Sequence, residues 1–287
     1  MANQKTLAKC VSRDSLNMLE RYLYPSLNIL ILAASFIFGS WLGKNKRWAN
    51  PVCLICLVFI ASFPFLNHSP AVISWVSRFK PSVFFFNTWV GWFAVMFLSA
   101  AAFYLPQKVN RRAIDVFTAV VASYFVLSSA LFFLPSFSKS IPAVFDSNGV
   151  YLQTTDYTCA AASLVNLLTF YNVSATEQEM ADLSFTVKNR GASQGGIFWA
   201  LKEKLKSIAL TPIIQDISFE QLKQLEPPVL ITSKYSFFLD HTMVVLGYNP
   251  QKGQFAMADP SFGLSYWPEQ KLKEKWQGLA IYLVNQK

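Results

Sequence analysis

The chain has 287 residues, of which 53% are hydrophobic and only 14% charged, against ~25% charged in soluble domains. With 26 Phe, 8 Trp and a mean hydropathy of +0.31, this composition excludes an ordinary water-soluble globule and excludes disorder as a general description. The formal charge of +9 does not describe a nucleic-acid binder, because residues 1–146 hold 13 Lys and Arg against 4 Asp and Glu, whereas residues 147–287 hold 12 of each.

Four uncharged stretches fill the first half, at residues 22–43, 48–77, 81–107 and 116–138, each as long as the ~20 residues a helix needs to cross a bilayer. They predict an N-terminal all-α membrane domain of four transmembrane helices over residues 1–146, with the lipid bilayer as its partner. The second stretch is the weakest. Its densest apolar part, Pro51 to Leu66, is short and is followed by Asn67, His68, Ser69 and Pro70, so a re-entrant segment is the alternative there. A cleaved signal peptide fits the first stretch poorly, since about twenty mostly polar residues precede it. Basic residues nearly balance across the bilayer, but Lys44, Lys46, Arg47, Lys108, Arg111 and Arg112 are compressed into two short loops. The positive-inside bias acts most strongly on such loops, which favours a cytoplasmic position for them and an extracytoplasmic one for the polar half. Cys53 and Cys56 read as helix packing, and Gly39 and Gly43 have the spacing that lets membrane helices approach closely.

From about Val150 the pattern turns to short mixed elements. Thr158 to Tyr171 reads as a helix beginning at a cysteine, and a further helix is expected from Ser193 to Lys206. Thr176 with Glu179 and Ser218 with Gln221 have capping-box spacing, so each pair should start a helix. Ile208–Gln215, Val229–Thr232, His241–Tyr248, Gln254–Ala258 and Leu279–Val284 are strand candidates, with Asn249, Pro250 and Gly253 forming a turn. Helices first and strands later favour an α+β domain with an antiparallel sheet over residues 147–287.

Chemistry in this domain is limited by donor supply. Of two histidines, His68 lies in or beside the apolar half, leaving His241 as the one imidazole expected in the polar domain. Of four cysteines (10, 53, 56 and 159) only Cys159 lies there, so an intramolecular disulfide within it is impossible and a His/Cys zinc site lacks ligands. No phosphate-binding Gly-rich loop occurs, and neither metal nor cofactor is expected. Cys159 opens a helix, where unpaired N–H groups and the helix dipole favour a thiolate. Gln153, six residues upstream, offers an amide N–H that could join the Cys159 backbone N–H in holding an oxyanion. His241 stands at the start of an apolar strand, as a general base at a cleft mouth would. A hairpin through Asn249 to Gly253 brings Asp259 back beside His241 as the carboxylate that orients the ring. Asp240 is the less suitable orienter, since neighbours on a strand point to opposite faces.

The run Gln153-Thr-Thr-Asp-Tyr-Thr-Cys159-Ala-Ala-Ala, followed by Asp240-His241-Thr-Met-Val-Val-Leu-Gly-Tyr248 and Ala258-Asp259-Pro260, resembles the bacteriocin-processing, double-glycine-leader cysteine peptidases. The resemblance covers residues 148 to 285. It implies a papain-like fold with Cys159 as nucleophile, His241 as base, Asp259 as its orienter and Gln153 in the oxyanion hole. It also implies a peptide or protein substrate, a bacterial inner membrane and an association with an export system. Two positions depart from the pattern: Thr158 stands where the family often has Asp, and Ala160 where it often has Gly. The family's peptidase usually precedes a transporter's membrane and ATPase domains. Here the order is reversed, so a Gly-Gly cleavage preference is not carried over. The expectation is therefore a membrane-anchored cysteine peptidase. An idle peptidase-like module that binds a peptide or matures a partner is the alternative, and thiol-based acyl transfer is a third reading.

Overall fold

The computed structural model describes residues 2–104, 111–131, 143–235 and 240–285. The apolar half contains helices α1 (Ala2–Lys44), α2 (Lys46–His68), α3 (Pro70–Val76), α4 (Lys80–Tyr104) and α5 (Arg111–Ala130). The chain divides into two compact units, one of residues 1–64 and 84–135, the other of residues 65–83 and 136–287.

In the helical unit, helices approach closely and make buried polar contacts. A Cβ on Gly39 would run into Ser99 and the Met96 carbonyl, and one on Gly91 would run into the Phe125 ring. The small-residue reading thus holds for Gly39, where α1 meets α4. Asn28, buried in α1, bridges to Ser129 on α5 and accepts from the Trp92 indole on α4. Among the described residues three helices, not the expected four, are long and apolar enough to cross a membrane: Tyr22–Lys44, Arg47–His68 and Arg112–Ala130. The third expected stretch falls on α4, whose apolar run there, Thr88–Ala102, is shorter. The ends of the third and fourth stretches, 105–107 and 132–138, lie outside the described residues. The second stretch does not continue to residue 77. Its helix stops at His68, and Ser69 with Pro70 begins α3, because proline suits the first turn of a helix, where no N–H partner is needed.

The second unit adds β1 (Val144–Phe145), β2 (Tyr151–Leu152), α6 (Cys159–Phe170), α7 (Glu177–Leu183), α8 (Gln194–Lys204), β3 (Leu210–Asp216), α9 (Phe219–Gln224), β4 (Val229–Lys234), β5 (Asp240–Asn249), β6 (Gln254–Asp259), β7 (Gly263–Pro268), α10 (Glu269–Lys275) and β8 (Trp276–Asn285). β3 to β8 form one antiparallel sheet in the order β3-β8-β4-β5-β6-β7, as the α+β reading expects. The two-residue period of the strands sorts the core into two layers. Leu230, Val244, Ala258 and Ile281 pack with α6, α7 and α8, while Val229, Ile231, Met243, Val245, Phe255 and Met257 pack on the other face with α9 and α10. Helix starts follow the sequence: Thr176 accepts from the Glu179 N–H, Ser193 from that of Gly196, and Ser218 with Gln221 completes a reciprocal box. β7 and α10 are elements the sequence reading did not contain.

Gly195 and Gly196 open α8, and only the second is sterically required. A Cβ on Gly196 would press on the Ser184 carbonyl oxygen, whereas one on Gly195 would meet Val83 at an ordinary 3.7 Å. Gly196→Ala should therefore destabilise the unit by about 2–3 kcal/mol, with Gly195→Ala near neutral, as read by unfolding midpoints of the full chain. Equal midpoints for the two variants would remove the close-approach explanation.

Candidate active site

Two elements that the core holds together bring the candidate residues to one cleft. α6 starts at Cys159 and is buried along Ala160 to Leu168. Ser163, one turn further on, donates to the Thr242 carbonyl at 2.8 Å and so ties α6 to β5 beside His241. Thr158 holds the turn before the helix: its hydroxyl accepts from the Thr155 N–H at 3.3 Å and donates to the Thr155 carbonyl at 3.0 Å. A carboxylate in its place would accept in the same way but not donate.

β5 and β6 are joined by the expected turn. Asn249 Oδ1 accepts from the N–H groups of Gln251 and Lys252, and Gly253 takes φ +58°. The pairing Val244 opposite Ala258 then brings Asp259 back towards His241. Asp259, 2% exposed, places Oδ1 at 2.8 Å from His241 Nε2 and also accepts from the Ser261 N–H at 2.9 Å. Asp240 instead lies on the exposed side, 4.0 Å from Lys234 Nζ. Cys159 is a free, partly exposed cysteine that lines the same cleft as His241, close enough for its sulfur to act on the ring. Since Asp259 occupies Nε2, Nδ1 is the ring nitrogen left for a second partner. Burial opposes a charge on His241, which is 8% exposed. The hydrogen bonds and charges of Asp259 and Cys159 outweigh it and raise the imidazole to about 9.

Gln153 lines the same cleft, but its Nε2 donates to the Thr155 carbonyl at 2.8 Å and its Oε1 accepts from Ser261 Oγ at 3.0 Å. A carboxamide carries two N–H donors, and one of them is used within its own turn. The segment carrying Gln153 is fixed by residues the sequence reading did not single out. Asn166 on α6 exchanges two hydrogen bonds with the Tyr151 backbone, at 2.7 and 3.0 Å. Glu177, 3% exposed, accepts from the Thr154 N–H at 3.0 Å and from the Tyr151 hydroxyl at 3.4 Å. Burial and the Glu177 carboxylate push the Tyr151 phenol up to about 12, so it remains a donor at physiological pH.

The cleft encloses about 600 Å³ and is lined by Gln153, Cys159, Gln194, Thr232, His241 and Phe262, among others. It is also lined by Asn67 and His68. His241 is therefore not the one imidazole at this cleft, although it is the one hydrogen-bonded to Asp259.

Residues 147–287 match the family model of the peptidase C39 family. Similar solved structures include the peptidase domain of Streptococcus ComA, described as a bi-functional ABC transporter involved in a quorum sensing pathway. It is 23% identical over 47% of this chain and 96% of that one, with a TM-score of 0.42. A double glycine motif protease from an AMS/PCAT transporter, in complex with the leader peptide, is 17% identical over 51% and 92%, with a TM-score of 0.41. The N-terminal peptidase C39 like domain of the toxin secretion ATP-binding protein from Vibrio parahaemolyticus is 14% identical over 47% and 100%, with a TM-score of 0.34. No curated protein matches the chain.

Proposed function

We propose that the chain is a membrane-anchored, papain-like cysteine endopeptidase, with a membrane domain over residues 1–146 and the peptidase domain over 147–287. The observation that carries this reading is the convergence on one cleft of Cys159, at the start of α6, and His241, whose ring is hydrogen-bonded to buried Asp259. In the proposed reaction the Cys159 thiolate attacks the peptide carbonyl carbon. Negative charge on the carbonyl oxygen is held by the Cys159 N–H and the second N–H of Gln153. The C–N bond breaks as protonated His241 delivers its proton to the leaving amine, giving a thioester. His241 then takes a proton from water, which attacks the thioester, and the S–C bond breaks to release a carboxylate and regenerate the thiolate. Asp259 keeps the ring oriented and supports its charged form.

α1, α2, α4 and α5 supply the four proposed spans. The 25 residues of α4 reach about 37 Å at 1.5 Å per residue, enough for a ~30 Å hydrocarbon layer. With the basic α1–α2 connection, Lys44, Lys46 and Arg47, on the cytoplasmic side of a bacterial inner membrane, the peptidase domain faces the extracytoplasmic side. Anchoring keeps the domain at high local concentration to peptides emerging from the bilayer, as an export-system role requires. Comparative peptidomics of membranes carrying the native chain or Cys159→Ala tests the reading. Peptides released only by the native chain are expected, and an identical peptide set from the variant would remove Cys159 from the chemistry.

A further inference from the structure

The C39 match begins at residue 147, yet two residues lining the Cys159 cleft, Asn67 and His68, come from eighty residues upstream. Their position is built by docking of the segment 65–83 within the second unit. α3 inserts Ile73, 1% exposed, into the core layer formed with α6 and α8. Lys202, on α8, donates from Nζ to the Ser77 carbonyl at 3.0 Å and so fastens the C-terminal end of α3. Val83 reaches Gly195 at the start of the same helix. α3 also packs against β3. The break between α2 and α3 at Ser69 therefore sits on a fixed support, and the side chains just before it face the cleft.

We infer that Asn67 and His68 form a wall of the substrate cleft and determine its specificity by limiting the width available to an extended peptide beside Cys159. This inference rests on the peptidase reading for the identity of the occupant. The ligand class is an unfolded peptide segment with small side chains next to the reacting carbonyl. An imidazole and a carboxamide are stiff, polar fillers. They can hydrogen-bond a peptide backbone, but a bulky side chain would have to displace them. The cleft of the family-matching part is thus completed by a segment outside the matched residues.

The wall is tested with the full chain in detergent, following alkylation of Cys159 by mass spectrometry. Three probes are used: iodoacetamide, a benzyloxycarbonyl-Ala-Ala chloromethyl ketone and its Phe-Phe counterpart. The readout is the ratio of Phe-Phe to Ala-Ala labelling, with iodoacetamide reporting the sulfur itself. In the double variant Asn67→Ala, His68→Ala this ratio is expected to rise by about tenfold or more, the scale on which pocket size discriminates side chains. His68→Trp is expected to lower labelling by both peptidyl probes relative to iodoacetamide. A native Phe-Phe to Ala-Ala ratio in the double variant, together with peptidyl labelling relative to iodoacetamide that His68→Trp leaves unchanged, would overturn the inference. Iodoacetamide reacting with Cys159 no faster than with free cysteine would instead count against the peptidase reading, and the ratios would still decide whether the wall exists.

Discussion

Replacing His241 by alanine is expected to lower kcat/KM on the order of 10⁴-fold or more, and Cys159→Ala at least as much, while the double variant is no worse than the worse single one. The two side chains act as a unit. The sulfur without its partner lacks the cation beside it, and the imidazole without the sulfur has no reacting atom to serve. His241 has no substitute in this role. His68 lines the cleft, but Asp259 is hydrogen-bonded to His241. Rates of release of the peptides identified from native membranes, followed by mass spectrometry, provide the measurement. A double variant whose loss equals the product of the single losses would mean that the residues contribute independently.

Asp259→Ala is expected to cost on the order of 10³-fold in kcat/KM and to move the alkaline limit of activity. In the native chain His241 is raised to about 9 against the opposing effect of burial, with the Asp259 hydrogen bond as the largest raising influence. The leaving amine needs the His241 proton, so native activity should fall as pH rises through about 9. Without Asp259, burial is less opposed, and the limit should shift down towards the ordinary ~6.5 of imidazole. Stability follows the same sign. Because the folded value lies above the unfolded one, the protonated pair stabilises the unit fully below pH ~6.5, and that contribution is lost as pH rises through about 9. The variant should lack this alkaline loss in unfolding midpoint. An unmoved limit in Asp259→Ala would show that the carboxylate does not govern the ring.

The parts of the domain legible in the sequence are those where one physical cause dominates. The run from His241 to Tyr248 alternates between two buried layers, so its continuous apolar character identifies a covered strand, and Asn249 with Gly253 provides the turn that brings Asp259 back. Cys159 begins its helix as expected because the Thr155–Thr158 turn ends there. β7 was not legible, since Ser265 and Tyr266 give it no clean two-residue alternation, and α10 buries only Leu272 in a run of charges. Asn166 and Glu177 fix a backbone from within, and nothing in sequence distinguishes them from solvated polar side chains. The segment 65–83 was hidden for the opposite reason. Ile73 and its neighbours are apolar whether they face lipid or a protein core, so composition assigned them to the membrane stretch.

The central claim is that the Cys159 sulfur is activated by the His241 ring, and its alkylation rate by iodoacetamide at pH 7 measures this most directly. A free thiol is only a few per cent ionised at that pH. Native Cys159 is expected to react about tenfold or more faster than free cysteine, with the advantage lost in His241→Ala. A native rate equal to that of free cysteine and unchanged by His241→Ala would contradict the account.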